Sequence, residues 1–164
     1  MCAIARGLDH RANFARTIYG TILSTALIAA YSEYPDADPG QIAVAVVVTA
    51  ATFWLAHAYA AVLAEEAERG AGNPMETARQ TLADEWPLVL GSLPPVLPLL
   101  LAPIGLASDF TAEDLAIGTG IALLAGCGLA IARQRSLGIL GSLVAVGASA
   151  SFGLVIVGLK AFVH

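Results

Sequence analysis

The chain has 164 residues, 57% hydrophobic and 13% charged, with a mean hydropathy of +0.75 and a formal net charge of −5. Ordinary soluble domains carry about 25% charged residues, so the composition excludes that class. The scattered negative charge also excludes nucleic-acid binding, which needs a clustered basic face. Cys2 and Cys127 stand far apart in dissimilar contexts and read as two unpaired thiols.

A membrane-crossing helix needs about 20 mostly apolar residues, because about 30 Å of hydrocarbon is crossed at 1.5 Å per residue. Five stretches approach that length, which predicts an all-α polytopic membrane protein: one domain over residues 1–164, a bundle of five transmembrane helices. The first, 17–31, is short and carries Thr17, Thr21, Ser24 and Thr25 at i, i+4, i+7 and i+8, hence on one helical face. The second, 42–64, follows the helix-start signal Pro39-Gly40. A cytoplasmic segment, 65–86, is expected to continue that helix, break near 70–74, and form a short amphipathic helix from Met75 to Glu85. The third span, 88–107, holds Pro94, Pro95, Pro98 and Pro103. It is predicted to bend near Pro94-Pro95, with neighbouring helices satisfying the freed carbonyls because lipid cannot.

The fourth span, 115–132, is expected to open after Thr111 with Glu113 and Asp114 in its first turn. The fifth covers 137–162. Gly118, Ala122, Gly126 and Ala130 on the fourth recur every four residues, as do Gly141, Ala145, Ser149 and Gly153 on the fifth. That spacing lets helix backbones approach closely in lipid. The two stripes suit either an intramolecular hairpin or a dimer interface.

Charge placement orients the bundle. Arg6, Arg11 and Arg16 precede the first span, Arg69 and Arg79 follow the second, and Arg133 and Arg135 follow the fourth. The alternate gaps hold acids and no bases: Glu33, Asp36 and Asp38 in one, Asp109, Glu113 and Asp114 in the other. Lys/Arg-rich short loops stay in the cytoplasm, which predicts a multi-pass protein of the cell membrane with its N-terminus inside and its C-terminus outside. Lys160 stands against the rule, and a lysine at a helix end snorkels to the interface. The first apolar run lacks a small-residue cleavage pattern, so it is expected to be retained.

His57 is an ionisable residue expected within the second span, and it reads either as a pathway or relay group, as such residues commonly are, or as a neutral structural histidine bonded to a Thr or carbonyl of the next helix. Its expected partners are Thr49 and Thr52 on its own helix and Thr21, Ser24 and Thr25 on the first, giving a polar seam between the first two spans. Tyr19 and Tyr59 complete the pathway candidates. Glu65, Glu66, Glu68 and Glu76 are candidate ligands for a hard divalent metal ion, which prefers several carboxylate oxygens. A solvated interfacial segment explains the same acids. Trp86 before Pro87 suits an interfacial belt, while Trp54 looks too deep for one and, like Tyr59, reads as a packing element.

Several segments are similar to those of the vacuolar iron transporter family. Arg16-Thr17-Ile18-Tyr19-Gly20-Thr21-Ile22-Leu23-Ser24-Thr25 resembles that family's first-span motif, with Tyr19 where the family has aspartate. Ala64-Glu65-Glu66-Ala67-Glu68 resembles its Glu-rich cytoplasmic segment, and Gly91-Ser92-Leu93-Pro94-Pro95-Val96-Leu97-Pro98 its Pro/Leu-rich third span. The resemblance implies five spans, a dimer, and transport of a divalent cation. Trp54 and Ala58 stand where the family supplies Met and Glu to the metal, so the intramembrane ligand set is missing and the cytoplasmic helices are shortened.

Two functions lead, with a membrane enzyme as a third class. One is a small transporter of divalent cations or protons through the seam at His57. The other is a non-transporting structural or accessory subunit of a membrane complex, acting with the bilayer and a homo-oligomeric or heterologous partner. No hydrolase elbow, phosphate loop or HExxH motif occurs, so no enzymatic activity is expected.

Overall fold

In a computed structural model of the chain, residues 2–34, 36–69 and 73–134 are described, together with positions 138, 141, 143, 144, 147 and 151. The described residues are helical and contain no strand. Helix α1 (Cys2–Tyr31) starts well before the expected span, because residues 2–16 hold no proline and are rich in Ala and Arg, which favour helix. The chain then turns through Ser32, whose N–H reaches the Ile28 carbonyl at 2.9 Å. Asp38 restarts it: its Oδ1 accepts the Gln41 N–H at 3.0 Å, and Pro39 supplies a preset φ at the first helical position. Helix α2 (Pro39–Arg69) runs unbroken through the apolar stretch into the Glu-rich one, as expected.

Helix α3 (Pro74–Asp84) is the short amphipathic helix, opened by Asn73-Pro74 and without a fully buried residue. Glu85 alone separates it from α4 (Trp86–Val96). The third span departs from expectation in two ways. The α-helical path continues through Pro94 and Pro95, and the change of geometry comes a turn later, in a 3-10 segment over Leu97–Leu101. The helix also ends there rather than at residue 107. Pro98 and Pro103 deny donors to the next turn, and Gly105 takes a φ of +75° that closes the loop.

Helix α5 (Asp109–Gln134) opens earlier than the expected start after Thr111. Ser108 caps it, its Oγ accepting the Thr111 N–H at 3.2 Å, so Thr111 already lies in the first turn. The expected fifth span, 137–162, falls outside the described residues apart from the isolated positions.

Paired contacts give the helix directions. Arg16 meets Glu85, Gly20 faces Leu88 and Ser92, and Ile28 shares a cluster with Val96 and Leu99, so α1 and α4 run parallel. Thr25 faces Gly120 while Ile28 and Ala29 join Ala116 and Ile117, so α5 runs antiparallel to α1. Helix α2 also opposes α4: Val46 clusters with Val96, and Trp54 meets Trp86. The apolar core of Ile28, Ile42, Val46, Leu99 and Ile117 gathers at the end that carries the acidic loops. Two helical stretches, Pro39–Ala67 and Asp109–Arg133, are long and apolar enough to cross a membrane.

Candidate functional site

Among the described residues, the buried hydroxyls Thr21, Ser24, Thr25 and Ser92 lie on α1 and α4. Gly20 and Gly91 bring the two backbones together: a Cβ at Gly20 would fall on the Leu88 carbonyl, and one at Gly91 on the Thr17 carbonyl. At this contact Thr21 Oγ1 donates to the Gly91 carbonyl at 2.8 Å, with the Thr17 carbonyl as a second acceptor at 3.0 Å. The choice of Gly91 has a covalent cause. In an α-helix its carbonyl receives the N–H four residues on, which is Pro95, and proline has none. Thr21 therefore supplies the donor that Pro95 withholds.

Ser24 and Thr25 are fully buried beside it. Both donate to the Thr21 carbonyl, at 3.1 and 2.7 Å, and Thr25 packs on Gly120 of α5. Thr17 donates to the Asn13 carbonyl at 2.9 Å. The expected hydroxyl face exists, and it is closed by α4 and α5 rather than by α2. His57 does not join it. That side chain is exposed, its Nδ1–H donating to the Phe53 carbonyl at 2.8 Å one turn back. Thr52 is exposed and bonded to the Val48 carbonyl, Thr49 is half-buried, and Tyr19 and Tyr59 are 44% and 67% exposed. The pathway candidates thus divide into the buried Thr21, Ser24 and Thr25 of α1 and the exposed or half-buried Tyr19, Thr49, Thr52, His57 and Tyr59, and the expected seam between the first two spans is not formed.

The acidic candidates are likewise dispersed. Glu65 accepts the Thr77 hydroxyl of α3, Glu76 accepts the Gln80 amide at 2.9 Å, and Glu66 is exposed. Glu68 is helical, its side chain outside the described set. Among the described residues no three His, Cys, Asp or Glu side chains converge as a metal site.

At the other end of α4, the end away from the apolar core, a second cluster ties four helices together. Arg16 Nε donates to Glu85 Oε1 at 2.9 Å, the side chains 27% and 13% exposed, and its Nη1 reaches Asn13. Trp54 donates through Nε1 to the Leu82 carbonyl at 2.7 Å and meets Trp86 edge-on, the ring centroids 5.4 Å apart. Sequence reasoning missed the roles of Gly91 and Glu85, and for Trp54, read as a packing residue, it missed the indole bond to α3. For Gly91 the signal was present: a glycine four residues before a proline marks a freed carbonyl with no side chain to shield it. No protein-family model, curated protein or solved structure matches this chain.

Proposed function

We propose that this chain is a five-span protein of the cell membrane, N-terminus in the cytoplasm, that serves as a non-transporting structural or accessory subunit and self-associates. The observation that carries this reading is the closure of the α1 hydroxyl face. Thr21, Ser24 and Thr25 are engaged with carbonyls that hold α1 in place, while His57 faces outward on α2. A conduit lined by these groups would require the hydroxyls to trade those partners for a passing ion.

Exposure supports the membrane setting. The core helix of a soluble protein is mostly buried, whereas only 28% of the apolar window of α2 and 33% of that of α5 are buried. Val44, Val47 and Val48 of α2 and Leu93, Leu97 and Leu100 of the α4 segment all point outward, as lipid-facing side chains do. The alternation of helix directions supports the in–out order that the basic loops imply. The order of segments supports kinship with the vacuolar iron transporter family, as a scaffold without its intramembrane metal ligands. Gly118, Ala122 and Gly126 are exposed on α5, and a Cβ at Gly118 or Gly126 meets nothing within 4 Å among the described residues. This open stripe suits a second copy packing helix to helix.

Reconstituted liposomes test the reading. The expected result is no flux of protons, Fe2+, Mn2+ or Zn2+ above that of protein-free vesicles, and recovery from native membranes as an assembly larger than a monomer. Flux that is pH-dependent and lost in His57→Leu overturns it. Cysteines introduced at Asp36 and Gly72 should label from opposite sides of the membrane; labelling from one side refutes the topology.

A further inference from the structure

We infer that Trp54, Trp86 and the Arg16–Glu85 pair form an aromatic and ionic belt seated in the headgroup layer of the cytoplasmic leaflet. On this inference His57 lies at headgroup level rather than inside the hydrocarbon. It rests on the membrane-spanning reading above and fixes where along the helices the membrane begins. The four residues are drawn from α1, α2, the α3–α4 junction and α4, and direct contacts hold them at one height: Arg16 to Glu85, Glu85 next to Trp86, and Trp86 against Trp54. Trp86 is 45% exposed. Tryptophan favours the membrane–water boundary, where its ring meets chains and its N–H meets polar groups.

Helix lengths measured from this height agree with one another. Arg16 to Tyr31 is about 23 Å, and Asp38 to Trp54 about 24 Å, at the α-helical rise. Trp86 to Leu101 is about 25 Å, counting the last five residues at the 3-10 rise. All three fall about 5–7 Å short of a hydrocarbon thickness of about 30 Å, a mismatch that a bilayer absorbs by local thinning. The alternative boundary, at Glu65, lies about 16 Å farther along α2. Placing the membrane edge there would carry the Arg16–Glu85 pair deep into hydrocarbon, where ionisable groups are costly.

With the edge at Trp54, His57 stands about 4.5 Å beyond it and Tyr59 about 7.5 Å beyond. The headgroup layer is about 5–7.5 Å thick on each side, so both fall inside it or at its outer margin. The exposed Leu55 and Tyr59 then face headgroups, and Glu65 and Glu66 stand in water beside α3. The hairpin of α2 and α3, joined by the Glu65–Thr77 and Trp54–Leu82 bonds, projects into the cytoplasm as a short stalk.

The chain has two tryptophans, so its intrinsic fluorescence reports the belt. The test uses the full chain in phosphatidylcholine vesicles carrying bromine either near the headgroup or near the chain end. Trp54→Phe and Trp86→Phe isolate each ring in turn. Each ring should be quenched more strongly by the shallow bromines. Equal or stronger quenching by the deep bromines overturns the belt. In a Cys2→Ser, Cys127→Ala background, His57→Cys should react with a membrane-impermeant maleimide in inverted vesicles as readily as Glu66→Cys, while Val48→Cys stays unlabelled. An unlabelled His57→Cys beside a labelled Glu66→Cys overturns the inference. Release of the whole protein from membranes by alkaline carbonate would instead remove the membrane reading on which it stands.

Discussion

Replacing Thr21 by valine removes one hydroxyl and keeps the branched shape, and the structure makes the consequence depend on a residue in another helix. The Gly91 carbonyl, buried between α1 and α4, has the Thr21 hydroxyl as its donor because Pro95 cannot supply one. A buried acceptor stripped of its partner costs about 1–3 kcal/mol. Interhelical hydrogen bonds measured within membranes run lower, averaging about 0.6 and reaching about 1.7 kcal/mol. Thr21→Val is therefore expected to destabilise the protein by about 1–2 kcal/mol. Pro95→Ala returns an N–H four residues after Gly91, so the helix can satisfy that carbonyl itself. In the Pro95→Ala background the Thr21→Val cost should fall to about 0.5 kcal/mol or less, a coupling of about 1 kcal/mol between two residues on different helices. The cycle cancels whatever void Pro95→Ala leaves. Reversible unfolding in detergent micelles, followed by circular dichroism, measures all four corners. Equal Thr21→Val costs in the two backgrounds would refute the proposed link between proline and hydroxyl.

Gly91→Ala should lower stability by about 1–3 kcal/mol or more, because the new methyl meets the Thr17 backbone and α1 must move away from α4; a Tm within error of the parent would contradict this close approach. Gly118→Ala, on the open face of α5, should change stability by less than about 0.5 kcal/mol, while the bulkier Gly118→Leu should reduce the assembly seen by chemical cross-linking. Arg16→Gln and Glu85→Gln should each cost about 1–3 kcal/mol, between the values of exposed and buried pairs, and the double variant should cost less than their sum. Trp54→Phe leaves the Leu82 carbonyl without its indole donor and should weaken the docking of α3 by about 1 kcal/mol, read as faster tryptic cleavage at Arg79 with little change in global Tm.

Local chemistry reached far into this fold. The break read at 70–74 put the start of α3 within one residue of Pro74, and the absence of breakers between Gln41 and Arg69 made α2 one helix across the change from apolar to acidic composition. The spacing of Thr17, Thr21, Ser24 and Thr25 put them on one face, which the structure keeps. These are properties of single helices, set by φ/ψ preference and a 3.6-residue repeat. Helix ends were less legible: α5 starts at Ser108–Asp109 because a serine hydroxyl reaches the third amide, a competition that several residues in that loop could have won.

What the hydroxyl face touches was decided by tertiary structure. Sequence reasoning paired it with α2 and His57, since polar groups were expected to seek polar side chains. The bundle pairs it instead with the backbone of α4, because two glycines let that backbone come within reach and a proline leaves its carbonyl in need of a donor. His57 was assigned to the membrane interior from its distance along α2, but its height relative to Trp86, Arg16 and Glu85 depends on how four helices are stacked. A sequence lists residues along each helix; only packing sets which residues of different helices share a level, and it is the shared level that determines whether a side chain meets lipid, water or another backbone.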